Sequence, residues 1–538
     1  MREVATATMA TENPTQARGA GALPKEGEWT LGALLECAGA RVPSEGGDVV
    51  VSSVQYDSRA VEPGALFVAV RGLTVDGHRF VAEAARRGAV AALVEEPART
   101  SGIVEVAVSD TRAALGVVAH TFFGRPCERL ATHAITGTNG KTTTSYLLDS
   151  ILREAGLRTG VVGTLGYRVG DRVEDGGMTS PESLDLARLL SAMVEDEVEA
   201  VTIEVSSHAM ALKRTAGATF DTAAFTNLSR DHLDFHKTFE EYAAAKKLLF
   251  THLAGSGGKD GAVAVVNTDD AFGSELADYV RSTGNLRLVT FGMRGADLSV
   301  VETSSTPHGT DVTLSTPEGD LETKLKLVSE FNVMNALTAA AIAFSQGIPL
   351  DVIGAGLSGV ERVDGRLETV RAGQDFAIVV DYAHTPDALE KTIAAVRQLV
   401  PGRVITVFGC GGDRDQGKRP QMGEIAARGS DVVVVTNDNP RSEDPSAIIA
   451  DIVAGAEAVA GCEGMGGAEL TVIEDRREAI RHAVGVAETG DLVLIAGKGH
   501  EDYQIVGGER RHFDDREEAR AAVAGASHRG NDGEGAAD

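Results

Sequence analysis

The chain has 538 residues, far more than one hydrophobic core serves, and its 43% apolar and 24% charged content suits about three or four globular domains. Fifty-one basic against 79 acidic residues leave a net charge of -28, which argues against nonspecific binding to nucleic acid or to an anionic membrane surface. Cys37, Cys127, Cys410 and Cys462 show no CxxC spacing, so neither a zinc site nor a disulfide framework is expected, and buried thiols in a reducing cytosol are the simpler reading.

Residues 1–28 are rich in Ala, Thr, Gly and Pro without periodicity and read as a disordered extension. The opening MREVATATMATENPTQ holds no apolar leader segment, and no run reaches the roughly 18 to 20 apolar residues of a membrane span, so a cytoplasmic protein without membrane insertion is expected. Over 29–128, DVVVSSVQYDSR and ALFVAVRG read as strands divided by the turn EPG, and FVAEAARRGAVAALVEE as a helix followed by a strand. This predicts a small α/β domain.

Over 129–362 strands and helices alternate. ATHAITG is a strand, and the helix of TNGKTTTSYLLDSILREAG follows from apolar Tyr146, Leu147, Ile151 and Leu152 at helical spacing. Further strands are RTGVVGTLGY, EAVTIEVSS, DTAAFTNLS, GAVAVVNTD and LRLVTFG; DVTLSTPEGDLETKLKLV reads as a hairpin and EFNVMNALTAAAIAFSQG as a helix. The pattern predicts a doubly wound parallel sheet with an antiparallel addition. Over 363–522 a second series, FAIVVDYAHTP, RVITVFGCGG, DVVVVTNDNP, ELTVIED and DLVLIAGKG, gives apolar strands that each end in Gly, Asp, Asn or His, where open α/β sheets bind ligands. Residues 523–538 read as a disordered tail.

Chemistry concentrates in seven stretches. In AITGTNGKTTTS, Gly137 and Gly140 let backbone N–H groups close on phosphate oxygens, Lys141 brings a cation to the β and γ phosphates, and Thr142 or Thr143 offers a hydroxyl to Mg2+. Ile135 stands where the usual P-loop has its first glycine. IEVSSHAM and FTNLSRDHLDFH end apolar strands with Glu204, a hard-oxygen ligand suited to Mg2+, and His232, which either completes that site, orients a phosphate or is structural. In YAAAKKLLF, Lys246 and Lys247 lie about 100 degrees apart on a helix, and two solvated lysines is the simpler reading.

The loop GCGGDRDQGKRP carries Arg414, Lys418 and Arg419, either an anion cradle or a solvated basic turn. In DNPR, Arg441 can take a carboxylate bidentately, while Asp438 and Asn439 accept from an ammonium and Pro440 stiffens the turn; the alternative is an Asx-capped turn with an exposed arginine. AGKGHEDYQ adds a glycine-rich strand end with Glu501.

Taken in order, TGTNGKTTT, EVSSHAM, TNLSRDHLDFH, DYAHTP, GCGGDRDQGKRP, DNPR and AGKGHEDYQ resemble the Mur ligases, specifically those that add diaminopimelate to UDP-N-acetylmuramoyl-L-alanyl-D-glutamate. The likeness spans roughly residues 30 to 520; its first motif is common to all Mur ligases and folylpolyglutamate synthetases, whereas DSR and DNPR are more selective. It implies a UDP-binding domain, a central ATPase and a C-terminal Rossmann-like domain, with ATP and Mg2+ as cofactors; a monomer is the expected state, although the sequence itself does not fix it.

By this likeness Ser58 and Leu73, Thr74 and Val75 hold the UDP-sugar, and Thr179, Ser180, Ser206 and Arg214 reach the muramoyl-dipeptide. Met178 and Leu212 stand where some members carry Asn and Gln. Gly137 through Thr143, including Thr138 and Asn139, with Asn335, Arg366 and Asp381, match the nucleotide site. Lys246 matches a lysine that CO2 converts to a carbamate able to ligate Mg2+ beside Thr142, Glu204 and, as a further candidate, His232. Arg414, Asp438, Asn439, Pro440, Arg441, Gly497 and Glu501 match the diaminopimelate site. A lysine-adding or other Mur ligase, a folylpolyglutamate synthetase, or a nucleotide-dependent binding module without ligase activity are the competing expectations.

Overall fold

The computed structural model describes residues 6–7, 29–42, 46–170, 172–174, 176–306, 309–460 and 468–531. Three main sheets appear in it, each wrapped by helices.

The first is parallel, with Ser53–Gln55, Ala65–Val68, Ala91–Val94 and Val104–Val108 in spatial order. Trp29 anchors its core, fully buried, with Nε1 donating to Phe122 O of helix Thr111–Phe122 at 3.1 Å. Thr6–Ala7, expected to be disordered, is instead a short parallel strand beside Val104–Val108, whose outer edge would otherwise leave backbone groups unpaired. Residues 8–28 lie outside the described residues, as does Cys462, while Cys127 and Cys410 are buried free thiols and Cys37 is half-buried.

The central sheet has eleven strands. Ala131–Thr136 lies between Ala200–Glu204 and Phe220–Phe225, all parallel, although the chain visits Thr159–Gly163 on the far side of Ala200–Glu204 before filling the gap. That reversal is a topological switch point, and it aligns the C-terminal ends of three strands, at Thr136, Glu204 and Phe225, around one crevice. The expected hairpin forms as Gly309–Thr316 against Gly319–Leu325, and Leu298–Thr306, which sequence patterning did not mark, joins it to the parallel strands.

The third sheet sets Ala377–Asp381, Leu492–Ala496, Val404–Phe408, Val432–Val435 and Glu469–Val472 in parallel order, with Glu368–Thr369 antiparallel at one edge. The four valines of Val432–Val435 are all buried, as a strand covered by helices on both faces requires. Helix Asp515–Asn531 runs past residue 523, correcting the expected disordered tail; alanine and arginine through this segment favour a helix, and residues 532–538 lie outside the described residues.

Candidate active site

Strand Ala131–Thr136 delivers the loop 137–140 to the N-terminus of helix Lys141–Glu154. Gly140 sits at φ 88°, and a Cβ there would lie 2.3 Å from Asn335 Oδ1, so only glycine lets helix Glu330–Ser345 come this close. Asn139 is gripped at its backbone: N donates to Asn227 Oδ1 at 3.0 Å, and O accepts from Thr226 Oγ1 at 2.7 Å and Asn227 Nδ2 at 3.1 Å. Lys141 Nζ folds over its own loop, donating to Gly137 O at 2.8 Å and Thr138 O at 2.9 Å. The arrangement brings a half-buried ammonium and a helix N-terminus to one place, the requirement for holding phosphate.

Glu204 ends its strand fully buried. Its Oε2 accepts from Thr142 Oγ1 at 3.1 Å and Thr164 Oγ1 at 3.0 Å, and Oε1 accepts from Thr164 N at 3.0 Å. Among the described residues no cationic side chain pairs with this carboxylate within 4.0 Å. Arg366, from the C-terminal segment, stacks 4.5 Å from the Tyr382 ring centroid and donates Nη2 to Thr142 Oγ1 at 3.2 Å. Asp381 steadies that segment: its Oδ2 accepts from Leu367 N at 2.7 Å and its Oδ1 from Ala383 N at 2.9 Å. Thr143, in the first turn of helix Lys141–Glu154, is buried.

Lys246 is the inward lysine of its pair, 1% exposed, with Nζ 4.4 Å from the Tyr242 ring centroid one turn earlier on helix Phe239–Ala254. Tyr242 OH in turn lies 3.0 Å from Thr138 Oγ1. Two solvated lysines therefore do not occur; Lys247 alone faces outward, over Tyr279. Burial, reinforced by the Lys141 charge, drives the Lys246 ammonium well below the ordinary lysine range, with Asp231 opposing. His232 holds a left-handed backbone at φ 54°, and its Nε2 lies 3.2 Å from Asp231 Oδ2. Burial pushes its imidazole down to about 3, so it is neutral near pH 7. Its ring stacks edge-on to His208 at 4.7 Å, and no contact joins it to Glu204.

The dipeptide candidates gather beside Glu204. Ser180 Oγ donates to Glu204 O at 2.8 Å and accepts from Ser206 N at 3.1 Å, while Thr179 Oγ1 lies 3.1 Å from Thr164 Oγ1. Arg214 donates to Ser180 O at 3.1 Å and pairs with Glu182 at 3.0 Å. Farther off, Leu73 and Val75 are 71% and 48% exposed on a turn closed by Gly72 N donating to Val75 O at 2.9 Å. Thr74 lies within that turn and Ser58 opens a short 3-10 helix capped by Asp57.

The C-terminal pocket forms where Val432–Val435, Leu492–Ala496 and Val404–Phe408 end. Asp438 and Asn439 are buried, and Pro440 with them. Asn439 is an internal strut: Nδ2 donates to Glu501 Oε2 at 2.9 Å, and Oδ1 accepts from Ile505 N at 2.9 Å. Gly497, at φ 117°, lets the strand end approach Asp438; a Cβ there would lie 2.6 Å from Asp438 Oδ2. Arg441 donates Nη1 to Gly412 O at 2.8 Å, and Arg414 donates Nη1 to Asp413 O at 2.8 Å. Among the described residues neither guanidinium pairs with a carboxylate within 4.0 Å. They converge on Gly411, where a Cβ would stand 2.8 Å from Arg441 Nη1 and 3.7 Å from Arg414 Cγ.

Two basic residues of the same loop behave otherwise. Arg419, read as part of an anion cradle or a solvated turn, is fully buried and pairs with Glu443 at 2.8 Å and Asp451 at 3.0 Å. Lys418 is buried too, donating to His384 O at 2.8 Å. Lys498 and Arg476 escaped sequence reasoning altogether. Arg476 is bidentate to Asp515 at 2.7 and 2.8 Å and donates to Asn437 O and Ala496 O, the residues just before Asp438 and Gly497. Hairpin Tyr503–Val506 with Glu509–His512 was also missed, though Gly507-Gly508 between alternating residues is its signal.

A phosphate loop, a buried unpaired acid and a pocket of mixed charge on a facing domain are the parts of an ATP-dependent ligase. Sequence profiles match in chain order: the Mur ligase family catalytic domain over 50–122, the Mur ligase middle domain over 135–343, and the Mur ligase glutamate ligase domain over 365–499. A UDP-N-acetylmuramoyl-L-alanyl-D-glutamate--2,6-diaminopimelate ligase of Geobacillus kaustophilus (strain HTA426) is 47% identical over 480 residues, covering 89% of this chain and 96% of that protein. One of the same name from Geobacter metallireducens (strain ATCC 53774 / DSM 7210 / GS-15) is 44% identical, over 91% and 98%. A solved structure with that enzyme name superposes at TM-score 0.65 with 31% identity, over 92% of this chain and 99% of its own. MurF ligase from Thermotoga maritima in complex with ADP shares the fold at TM-score 0.56 and 19% identity, over 89% and 97%. The chain belongs to the Mur ligase family.

Proposed function

We propose that the protein is the ATP-dependent ligase that adds diaminopimelate to UDP-N-acetylmuramoyl-L-alanyl-D-glutamate, in cytoplasmic peptidoglycan precursor synthesis, acting as a monomer. The observation that carries it is the pair Arg414 and Arg441, neither with a carboxylate partner among the described residues, in the pocket that also holds the acids Asp438 and Glu501. Such a pocket complements an amino acid with a carboxylate and an ammonium at its far end; lysine lacks that carboxylate and would leave a guanidinium unsatisfied. The names of the relatives agree with this reading.

In the first step the γ-carboxylate of the D-glutamyl residue attacks the γ-phosphorus of ATP, giving an acyl phosphate and ADP. Lys141 and the helix it opens neutralise charge on the transferring group, and Ser180, Ser206 and Arg214 orient the acceptor. In the second, the amine of diaminopimelate attacks the acyl carbon, loses a proton, and phosphate leaves. No covalent enzyme intermediate is required, so positioning and exclusion of water supply the rate.

Glu204 and Thr142 fit Mg2+: a buried carboxylate without a cationic partner and an adjacent hydroxyl are hard oxygen donors. When bound, the ion neutralises phosphate charge. Among the described residues no group of three or more His, Cys, Asp or Glu is placed to hold a metal. Mg2+ is usually held by one or two carboxylates with waters and substrate phosphates, and a carbamate on Lys246 would add a further oxygen donor. UDP is assigned to Ser58 and Leu73 to Val75, whose exposed apolar turn offers a face for a ring.

The test is phosphate release from ATP with the UDP-linked dipeptide and either diaminopimelate or lysine. Release with diaminopimelate alone is expected. Equal rates with lysine would overturn the assignment.

A further inference from the structure

We propose that Lys498 is a positioning residue for the incoming amino acid, its ammonium fixing the acidic pocket at one net negative charge to receive one substrate ammonium. The inference rests on the ligase reading above and deepens it.

Lys498 follows Gly497 at the end of strand Leu492–Ala496, and its side chain is 0% exposed. Nζ lies 3.2 Å from Asn439 Oδ1, 3.4 Å from Glu501 Oε2 and 3.6 Å from Asp438 Oδ1. One buried ammonium thus touches both acids of the pocket and the strut between them. The other charged or titratable groups facing these acids are Arg476, Arg441, His384, Tyr382 and Tyr503. Arg476 is neutralised by Asp515, and Arg441 is reserved for a carboxylate. Within the pocket two carboxylates and one ammonium remain.

Without the ammonium, two buried carboxylates would face each other across a short gap, and one would take up a proton. Burial and Asp438 already raise the Glu501 carboxyl, which makes Glu501 the acceptor of that proton. The pocket charge would then depend on pH, and so would affinity for a substrate ammonium. Lys498 opposes that proton uptake, by its charge and by its contact with Glu501 Oε2. It also holds Asn439 Oδ1, the same atom that receives Ile505 N, so its loss loosens the loop from the inside.

The test compares Lys498→Gln, which keeps a donor and loses the charge, with Lys498→Met and with Lys498→Arg, which keeps the charge. Steady-state kinetics of the full chain are taken with ATP, the UDP-linked dipeptide and diaminopimelate across pH 6 to 9, with thermal stabilisation by ADP as the fold check. The Gln and Met variants should raise KM for diaminopimelate at least about 10-fold, leave KM for ATP within about 2-fold, and add an ionisation to the diaminopimelate profile. The Arg variant should keep the wild-type profile shape. Profiles parallel to wild type in the Gln and Met variants, or an equal rise in KM for ATP, would overturn the proposal. So would failure of both neutral variants to fold, since Lys498 would then serve stability alone. Wild-type enzyme inactive on diaminopimelate would sink the ligase reading instead, independently of the variants.

Discussion

Asn139 Nδ2 donates to Asp387 Oδ2 at 2.8 Å, so the phosphate loop is held by a side chain from the domain on the other side of the crevice. Ser229 Oγ reaches the same oxygen at 3.2 Å, and Asp387 sits in the first turn of helix Pro386–Arg397. Closure of the C-terminal domain and the shape of the phosphate loop are thereby linked. Asp387→Ala should lower kcat about 10-fold and increase ATP hydrolysis without amide formation, because an acyl phosphate made in a looser crevice meets water. The measurement is the ratio of phosphate released to amide formed; a ratio that stays at the wild-type value rules the linkage out.

Burial and the neighbouring Lys141 charge lower the Lys246 ammonium well below the ordinary lysine range, a shift towards the amine form that adds to CO2. Lys246→Ala should cut kcat at least about 100-fold, and a short carboxylic acid added to the variant should restore part of it by supplying the missing oxygens. Intact-protein mass in bicarbonate buffer checks the adduct on the wild type. Activity unaffected by the substitution would exclude a carbamate role.

Arg441→Ala should lower kcat/KM for diaminopimelate by a factor on the order of 10^2 to 10^4 while leaving ATP affinity in place, since a site built around a guanidinium loses its partner to the distal carboxylate. Isothermal titration with ADP separates the two effects. Unchanged kinetics with diaminopimelate would remove Arg441 from specificity.

His120 gives a stability prediction. It is buried on the last turn of helix Thr111–Phe122, with Nδ1 3.8 Å from the Cys127 thiol, and burial pushes its imidazole from 6.5 down to about 3. Between those values the unfolded chain binds a proton that the folded one does not, so stability is lost as pH falls below about 6.5. By pH 5 the cost is about 2 kcal/mol from this residue alone. His120→Phe should flatten the fall in melting temperature between pH 7 and pH 5; an unchanged slope would show that other buried histidines dominate.

What sequence revealed follows a physical division. The loop Gly137–Lys141, the strand ends at Glu204 and Asp438 and the hairpin at Gly309–Leu325 obey rules acting within a few residues, and all were readable. Lys246 divided the two approaches: spacing alone left two solvated lysines as the simpler reading, the family resemblance singled out Lys246, and tertiary packing is what buries it. Arg476 could not be read, because its partner Asp515 lies 39 residues on and nothing nearby marks a buried ion pair. Arg419 was misjudged for the same reason, its partners Glu443 and Asp451 belonging to the next loop and helix.

Hairpin Tyr503–His512 is laced to the 438–441 loop at several points. Arg441 N donates to Ile505 O at 3.0 Å, Gly507 N to Arg441 O at 2.8 Å, and Gln504 Nε2 to Asp438 O at 2.8 Å. Neither segment keeps its shape without the other. Any attempt to exchange amino-acid preference between relatives must therefore transplant both pieces together; a swapped 438–441 loop seated on a foreign hairpin would carry the right letters in the wrong register.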